Sequence, residues 1–137
     1  MEKSIFKLPF KVFIRYFFYK NSQYWSKQKI EKFQDKQLIK LIKHASKNVP
    51  YYRQLFAEIK LNVDKFKGRE DLHKIPILEK ETIRKNKELF IADNAKKYGI
   101  TWDSTSGSTG TPLHFVLSDA VQANKIAALL RSFNWAN

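Results

Sequence analysis

The residues best suited to chemistry in this sequence form one short run of small and hydroxyl-bearing side chains, Thr105-Ser106-Gly107-Ser108-Thr109-Gly110-Thr111-Pro112. Its two glycines stand three residues apart, so the backbone can take positive φ and approach a ligand closely. Successive backbone N–H groups can then point into one concavity that holds an anion, and the hydroxyl groups add further donors. Phosphate oxygens carry charge and therefore form stronger hydrogen bonds than neutral acceptors. The run therefore suits phosphate binding.

An ordinary hairpin connection is the alternative, because Ser/Thr/Gly runs between strands are usually loops. The run is not a Walker A loop, since the glycine-lysine-hydroxyl ending is absent, and no GxGxxG turn for a dinucleotide occurs. The chain has no cysteine, and His44, His73 and His114 are too widely spaced to indicate a metal site. The sequence alone therefore predicts no metal ligand and no catalytic side chain.

The elements that must position this run are a strand on either side of it and a helix after it. Residues 100–102 have strand propensity, and residues 113–117 are predicted to form a second strand. Ser118 and Asp119 are expected to cap a last helix, with Gln122 placed as in a capping box. The predicted unit is strand, loop, strand, helix.

The residues before position 99 are predicted to be mostly helical. Apolar residues recur at helical spacing over residues 25–47, and Pro50 ends that helix because the residue before a proline is pushed out of the α region. Shorter helices are predicted at residues 51–59 and 79–89. Residues 75–78 are predicted to be extended.

The N-terminal segment, residues 1–24, is predicted to be a basic amphipathic helix. Its apolar face consists of Phe10, Phe13, Ile14, Phe17 and Phe18. Lys7, Lys11 and Arg15 form a basic stripe beside that face. Two interpretations stay open: the face packs on the rest of the protein, or residues 6–20 make peripheral contact with an anionic membrane.

The chain is strongly basic, with 26 Lys+Arg against 13 Asp+Glu and a net charge of +13. A basic excess suggests nucleic acid or an anionic membrane as a partner, although lysines on a helix are more often a solvated surface. The excess lies before residue 100, whereas residues 101–137 are neutral. Nucleic acid is therefore not the expected partner. The alternative function is a non-enzymatic basic module that binds anionic membrane or nucleic acid through residues 1–50.

In its residue order the run resembles the phosphate-loop motif of the adenylate-forming superfamily, which is hydroxyl, Ser, Gly, hydroxyl, Thr, Gly, any residue, Pro. Two upstream blocks, residues 48–53 (NVPYYR) and 72–80 (LHKIPILEK), resemble the N-terminal portion of phenylacetate–CoA ligase-like proteins, and among these the CapK type of capsular polysaccharide biosynthesis. The resemblance covers residues 25–137. It implies the N-terminal portion of an AMP-binding domain, of class α/β and α+β over this stretch, after a helical N-terminal region.

The resemblance also implies an activity. Such enzymes join a small-molecule carboxylate to AMP using ATP and Mg²⁺, release pyrophosphate, and pass the acyl group to a thiol such as CoA. They would act in the cytoplasm, with a membrane-peripheral location as the alternative. Family members are several times longer than 137 residues. We therefore expect a truncated product or a fragment with little or no turnover alone, because catalysis needs both substrates held together.

The resemblance assigns ATP phosphate binding to seven loop residues, 105–111, with Thr111 as the last of them. The hydroxyl groups of Thr105, Ser106, Ser108 and Thr109 would donate to the phosphates of ATP. Gly107 and Gly110 would let the backbone approach those phosphates closely. Pro112 would stiffen the exit from the loop. Many members carry a lysine in or just after the loop, where this chain has Thr111 and Leu113. Lys125 and Arg131 are the later cations, and both are predicted to lie on the helix surface.

Overall fold

The computed structural model describes residues 7–106 and 112–135. Its helices are α1 (Lys7–Ser22), α2 (Lys27–Asn48), α3 (Pro50–Glu58), α4 (Lys80–Lys85) and α5 (Asp119–Phe133). Its strands are β1 (Ile100–Ser104) and β2 (His114–Ser118), which pair antiparallel. Short 3₁₀ turns lie at Val63–Lys65, Arg69–Lys74, Lys87–Phe90 and Ala95–Tyr98. The predicted α+β class with a helical N-terminal region is confirmed, whereas a boundary between residues 1–24 and 25–137 stays a prediction.

A sharp reversal between α2 and α3 creates the core. Val49 lies between the two helices with extended φ and ψ of −111° and 111°, the conformation that a following proline favours. Pro50 then occupies the first turn of α3, where its missing N–H costs no helical hydrogen bond. The sequence Val49-Pro50 therefore both ends α2 and begins α3, as predicted for the end of α2.

The core is small and lies on one side of α2. Ile42 and Ala45 of α2 are buried together with Phe56 of α3 and Phe66 from the following turn. Aromatic rings extend this cluster, because Tyr51 stacks on Phe90 with ring centroids 4.2 Å apart. Tyr51 is therefore a packing residue.

Arg69 fastens the segment after the core to α2. Its backbone N–H and its Nε donate to Asp35 Oδ1 at 3.0 and 2.9 Å, and its guanidinium lies 3.6 Å from Glu31. Gly68, just before it, has φ of 110° and ψ of −137°. Only glycine adopts this region readily, so Gly68 permits the chain to turn back onto α2.

A second carboxylate holds the same segment internally. Asp71 is buried, and it accepts hydrogen bonds from the backbone N–H of Lys67 at 2.7 Å and from Lys74 Nζ at 2.6 Å. A buried carboxylate is tolerated when such donors satisfy it. This residue therefore stabilises the turn that precedes the extended residues 75–78.

The first and last helices pack against each other. Asn134 Nδ2 donates to the Tyr16 hydroxyl, and Trp135 Nε1 donates to Gln23 Oε1 at 3.0 Å. Ala127 is fully buried and stands seven residues before Asn134, so it lies on the same face of α5. A small residue there allows the two helices to approach closely.

The predicted apolar face of α1 is mostly uncovered. Phe10, Phe13, Ile14 and Phe17 are 68, 61, 51 and 43% exposed. Phe18 instead packs inward, with its ring 5.4 Å from that of Phe33. The helix does pack on its own protein, but through another side, near Tyr16. Among the described helices, none has the length and apolar character needed to cross a bilayer.

Two local predictions are wrong. The helix predicted at residues 79–89 ends at Lys85, because the Asn86 side chain donates to the Thr82 carbonyl at 2.9 Å and competes with the helical backbone. A 3₁₀ turn follows in its place. The capping box at Ser118 is also absent, since no side-chain hydrogen bond caps the start of α5.

Gly68→Ala is expected to lower the free energy of unfolding by about 2 kcal/mol or more. The backbone there is strained for any L side chain, and a Cβ would lie 2.7 Å from Asp35 Oδ1, the acceptor of the Arg69 hydrogen bonds. Urea unfolding of Lys67→Ala, at the exposed neighbouring position, provides the control. Equal stability of the two variants would contradict this role for Gly68.

Stability is expected to fall below about pH 4. Hydrogen bonds from Arg69 hold the pKa of Asp35 below its usual range, and hydrogen bonds from Lys74 and the Lys67 N–H do the same for Asp71. With the folded pKa below the unfolded value of about 3.9, this stabilisation is complete above the unfolded pKa and is lost as pH falls through the folded one.

Urea unfolding between neutral pH and pH values below the unfolded pKa measures this dependence. Asp35→Asn combined with Asp71→Asn should be less stable at neutral pH and should show a flatter acid limb. Asp64→Asn is the control, because the Asp64 side chain is 91% exposed. An acid limb unchanged by the double substitution would show that other groups cause the loss.

Candidate functional site

The hairpin holds the two ends of the candidate phosphate loop side by side. Its register pairs Ile100 with Ser118 at one end and Ser104 with His114 at the other. Beyond the last pair, the Thr105 N–H donates to the Leu113 carbonyl at 3.0 Å. Thr105 and Leu113 therefore lie side by side at the tip of the hairpin. The two strands and the helix of the predicted strand, loop, strand, helix unit are confirmed, whereas residues 107–111 of its loop lie outside the described residues.

Thr105 closes the loop with its side chain as well as its backbone. The Leu113 N–H donates to Thr105 Oγ1 at 3.0 Å, so the hydroxyl oxygen serves as an acceptor. The hydroxyl hydrogen can then donate to a further acceptor. A hydroxyl that already accepts a hydrogen bond is polarised and donates more strongly. Because Thr105 is exposed, this arrangement suits an anionic oxygen arriving from solvent.

The predicted site residues divide into two groups. Thr105 and Ser106 are neighbouring, exposed residues at the end of β1, and the structure places both at the start of the hairpin tip. The remaining members lie outside the described residues; they are Gly107, Ser108, Thr109, Gly110 and Thr111. Phosphate binding by the seven residues together stays a prediction.

Gly99 sets the other end of the hairpin against α5, a role that the sequence analysis missed. It has φ of 64°, and a Cβ there would lie 2.6 Å from the Asp119 carboxylate. The Asp119 N–H donates to the Gly99 carbonyl at 3.3 Å. A glycine that directly precedes a strand was the available signal, because such a position often marks a close approach of two chain segments.

A mainly apolar cavity of about 400 Å³ lies beside the base of the hairpin. Its lining residues come from α2, the turns after α4, both strands and α5, and include His44, Asn94, Tyr98, Ile100, Leu117 and Val121. Asn94 Nδ2 donates to Asn48 Oδ1 at 2.8 Å. The cavity borders the end of the hairpin opposite the candidate loop, so the loop residues Thr105 and Ser106 do not line it.

The positions of the two later cations, Lys125 and Arg131, follow the sequence prediction in part. Lys125 is exposed, whereas Arg131 is half-buried with its guanidinium 4.5 Å from the centre of the Trp135 ring. His44 lies against Tyr98 with ring centroids 6.2 Å apart, which is a packing role. Over residues 7–106 and 112–135, no three His, Asp or Glu side chains cluster closely enough to hold a metal ion.

Thr105→Val is expected to speed hydrogen exchange at the Leu113 amide by about fivefold. Valine keeps the shape but removes the acceptor, and one hydrogen bond contributes about 1 kcal/mol. Thr105→Ser should retain protection, and Thr101→Val on the same strand should leave the Leu113 amide unchanged. Equal protection in Thr105→Val, measured by NMR-detected exchange, would contradict the closing role of the hydroxyl.

Comparison with known proteins gives two similar relatives, both named phenylacetate–coenzyme A ligase. The protein of Thermus thermophilus is 28% identical over 86 residues, which are 63% of this chain and 19% of that relative. The protein of Pseudomonas putida is 37% identical over 71 residues, which are 52% of this chain and 16% of that relative. No family model matches the chain.

These relatives support the resemblance to phenylacetate–CoA ligases that was inferred from residue order. The chain spans less than a fifth of the length of the curated relatives that it matches. At least half of this chain is thus similar to phenylacetate–CoA ligases.

Proposed function

We propose that this chain supplies the phosphate-binding part of an AMP-forming acyl ligase of the phenylacetate–CoA ligase kind. The observation that carries the proposal is the hairpin tip. There, the Thr105 hydroxyl is held by the Leu113 N–H and can still donate its hydrogen to an anion. Similarity to two phenylacetate–CoA ligases supports the same assignment. The non-enzymatic basic module is not favoured.

The finer assignment is to the CapK-type branch, acting in the cytoplasm during synthesis of capsular or other cell-surface polysaccharide. Its support is the residue order of blocks 48–53 and 72–80 together with the loop. The complete enzyme would take a small-molecule carboxylate and ATP, and it would deliver the acyl group to a thiol such as CoA.

The role of this chain in that reaction is to bind and orient phosphate. Bound ATP would supply the activated phosphorus and the pyrophosphate leaving group. The Thr105 and Ser106 hydroxyls, with the backbone N–H groups of the loop, would donate to the terminal phosphates and stabilise charge as the leaving group departs. Donors aimed in advance need little reorganisation during the reaction, which is why a closed hairpin is a suitable support.

The described residues fit phosphate better than they fit the metal. Exposed hydroxyls at the hairpin tip match the oxygens of ATP, whereas no cluster of acidic or histidine side chains in the described ranges fits Mg²⁺. We therefore assign no step to the metal and no residue to CoA. We also propose that residues 1–137 alone have little or no turnover, because catalysis requires the carboxylate and ATP to be held together.

NMR titration of this chain with ATP tests the phosphate role. We expect weak binding, with a dissociation constant on the order of 1 mM. Contacts to the phosphates alone offset little of the entropy that ATP and the protein lose on association. Amide shifts should centre on Thr105, Ser106 and Leu113. Gly107→Val should abolish them, because the branched side chain would block close approach of the backbone.

Thr101→Val provides the matched control and should titrate like the parent chain. Tight stoichiometric binding, or detectable ATP–pyrophosphate exchange by these 137 residues, would contradict the proposed inactivity of the chain alone. In a full-length relative, valine in place of the glycine equivalent to Gly107 should slow pyrophosphate release by about a hundredfold. Unchanged release would overturn the loop assignment.

A further inference from the structure

The most conspicuous unassigned surface is the uncovered apolar face of α1, which we call the α1 apolar face and define as Phe10, Phe13, Ile14 and Phe17. The rings of Phe13 and Phe17 contact each other with centroids 4.7 Å apart. Large apolar side chains that are each about half exposed or more, and adjacent on one helix, indicate a surface with a partner.

This surface continues from α1 onto α5. Phe13 and Phe17 line a groove of about 400 Å³ together with Leu130 of α5. Leu129 and Phe133, one on either side of this leucine along α5, are 54 and 57% exposed. The two helices therefore present one apolar surface with a groove between them, rather than scattered exposed residues.

Basic side chains border the α1 apolar face on both sides. With about 100° of rotation per residue, Lys11 lies about 60° from Ile14, and Lys20 lies about 20° from Phe13 on the other side. Lys11 and Lys20 are both exposed. The sequence of α1 contains no acidic residue. An apolar face between basic flanks is the arrangement of helices that lie in a membrane interface.

The charge of the chain distinguishes two candidate partners for this surface, a second copy of the chain and an anionic lipid surface. A second copy of this chain would bring the same lysines against one another, since each copy carries +13 and no acidic residue on α1. An anionic lipid surface offers complementary charge to the flanks and an apolar layer to the phenylalanine rings. At about 1.5 Å per residue, the 16 residues of α1 extend about 24 Å along the surface.

We propose that the α1 apolar face, with the exposed end of α5, docks this protein on an anionic bilayer, with α1 lying in the plane of the interface. The phenylalanine rings would enter the boundary between headgroups and acyl chains, and Lys11 and Lys20 would contact lipid phosphates. This docking goes beyond the proposed ligase function and does not depend on it, because it uses none of the loop residues.

Sedimentation of the full chain with vesicles tests the docking. The chain should bind vesicles that contain phosphatidylglycerol far better than vesicles of phosphatidylcholine alone. Phe13→Ser should lower the partition coefficient by about tenfold, because an apolar ring is no longer buried in lipid. Ile77→Ser is the matched control at another exposed apolar position, 91% exposed, and should change binding by less than about twofold.

A second pair of variants distinguishes binding through the lysines beside the α1 apolar face from a general effect of net charge. Lys11→Glu with Lys20→Glu should lower binding by more than about tenfold. Lys36→Glu with Lys40→Glu changes the net charge equally on the exposed side of α2 and should lower binding less. Circular dichroism and thermal unfolding confirm that every variant keeps its helices.

Three results would overturn the docking proposal. One is equal loss of binding in both lysine pairs, which would show a non-specific charge effect. Another is binding that Phe13→Ser leaves unchanged. The last is a lipid-free dimer, detected by analytical ultracentrifugation, that Phe13→Ser dissociates, because the surface would then be an interface between two copies.

Discussion

The packing of α1 on α5 is the interaction on which the hairpin and the exposed surface of α1 depend. Among the described elements, this helix pair makes the most extensive contact, and it joins the first helix of the chain to the last. A two-stranded hairpin is marginally stable alone in water. Here the hairpin continues directly into α5, and the Asp119 N–H bonds the Gly99 carbonyl at its base. Anchoring α5 therefore also anchors the hairpin.

The same packing determines which surfaces stay exposed. Tyr16 faces α5, and Phe18 turns toward Trp25 and Phe33. The remaining phenylalanines of α1 stay largely exposed, and Phe13 and Phe17 line the groove between the two helices together with Leu130. One packing arrangement thus accounts for two features on which the functional proposals rest, the anchored hairpin and the uncovered apolar surface. The two use different residues, so each can be tested without the other.

Local signals predicted most of the secondary structure, including the two strands that flank the candidate loop. Val49-Pro50 acts through the covalent geometry of proline, so the end of α2 could be read from two residues. The strands were found because residues with strand propensity stand on either side of a run of small and hydroxyl-bearing residues. The end of α4 near Asn86 and the cap of α5 at Ser118 were predicted wrongly, because a polar side chain near a helix end has several backbone partners within reach. Only the folded chain shows which partner is used.

The sequence alone determined the order of the elements, the position of the hydroxyl-and-glycine loop and its resemblance to a phosphate loop, since all three depend on residues close together in the chain. Only the tertiary structure decided which face of α1 is covered, that Thr105 is held by Leu113, and that Gly68 must turn against Asp35. These outcomes involve residues brought together from separate parts of the chain. Periodicity shows that a helix has an apolar face, but the location of its packing partner decides whether that face becomes core or surface.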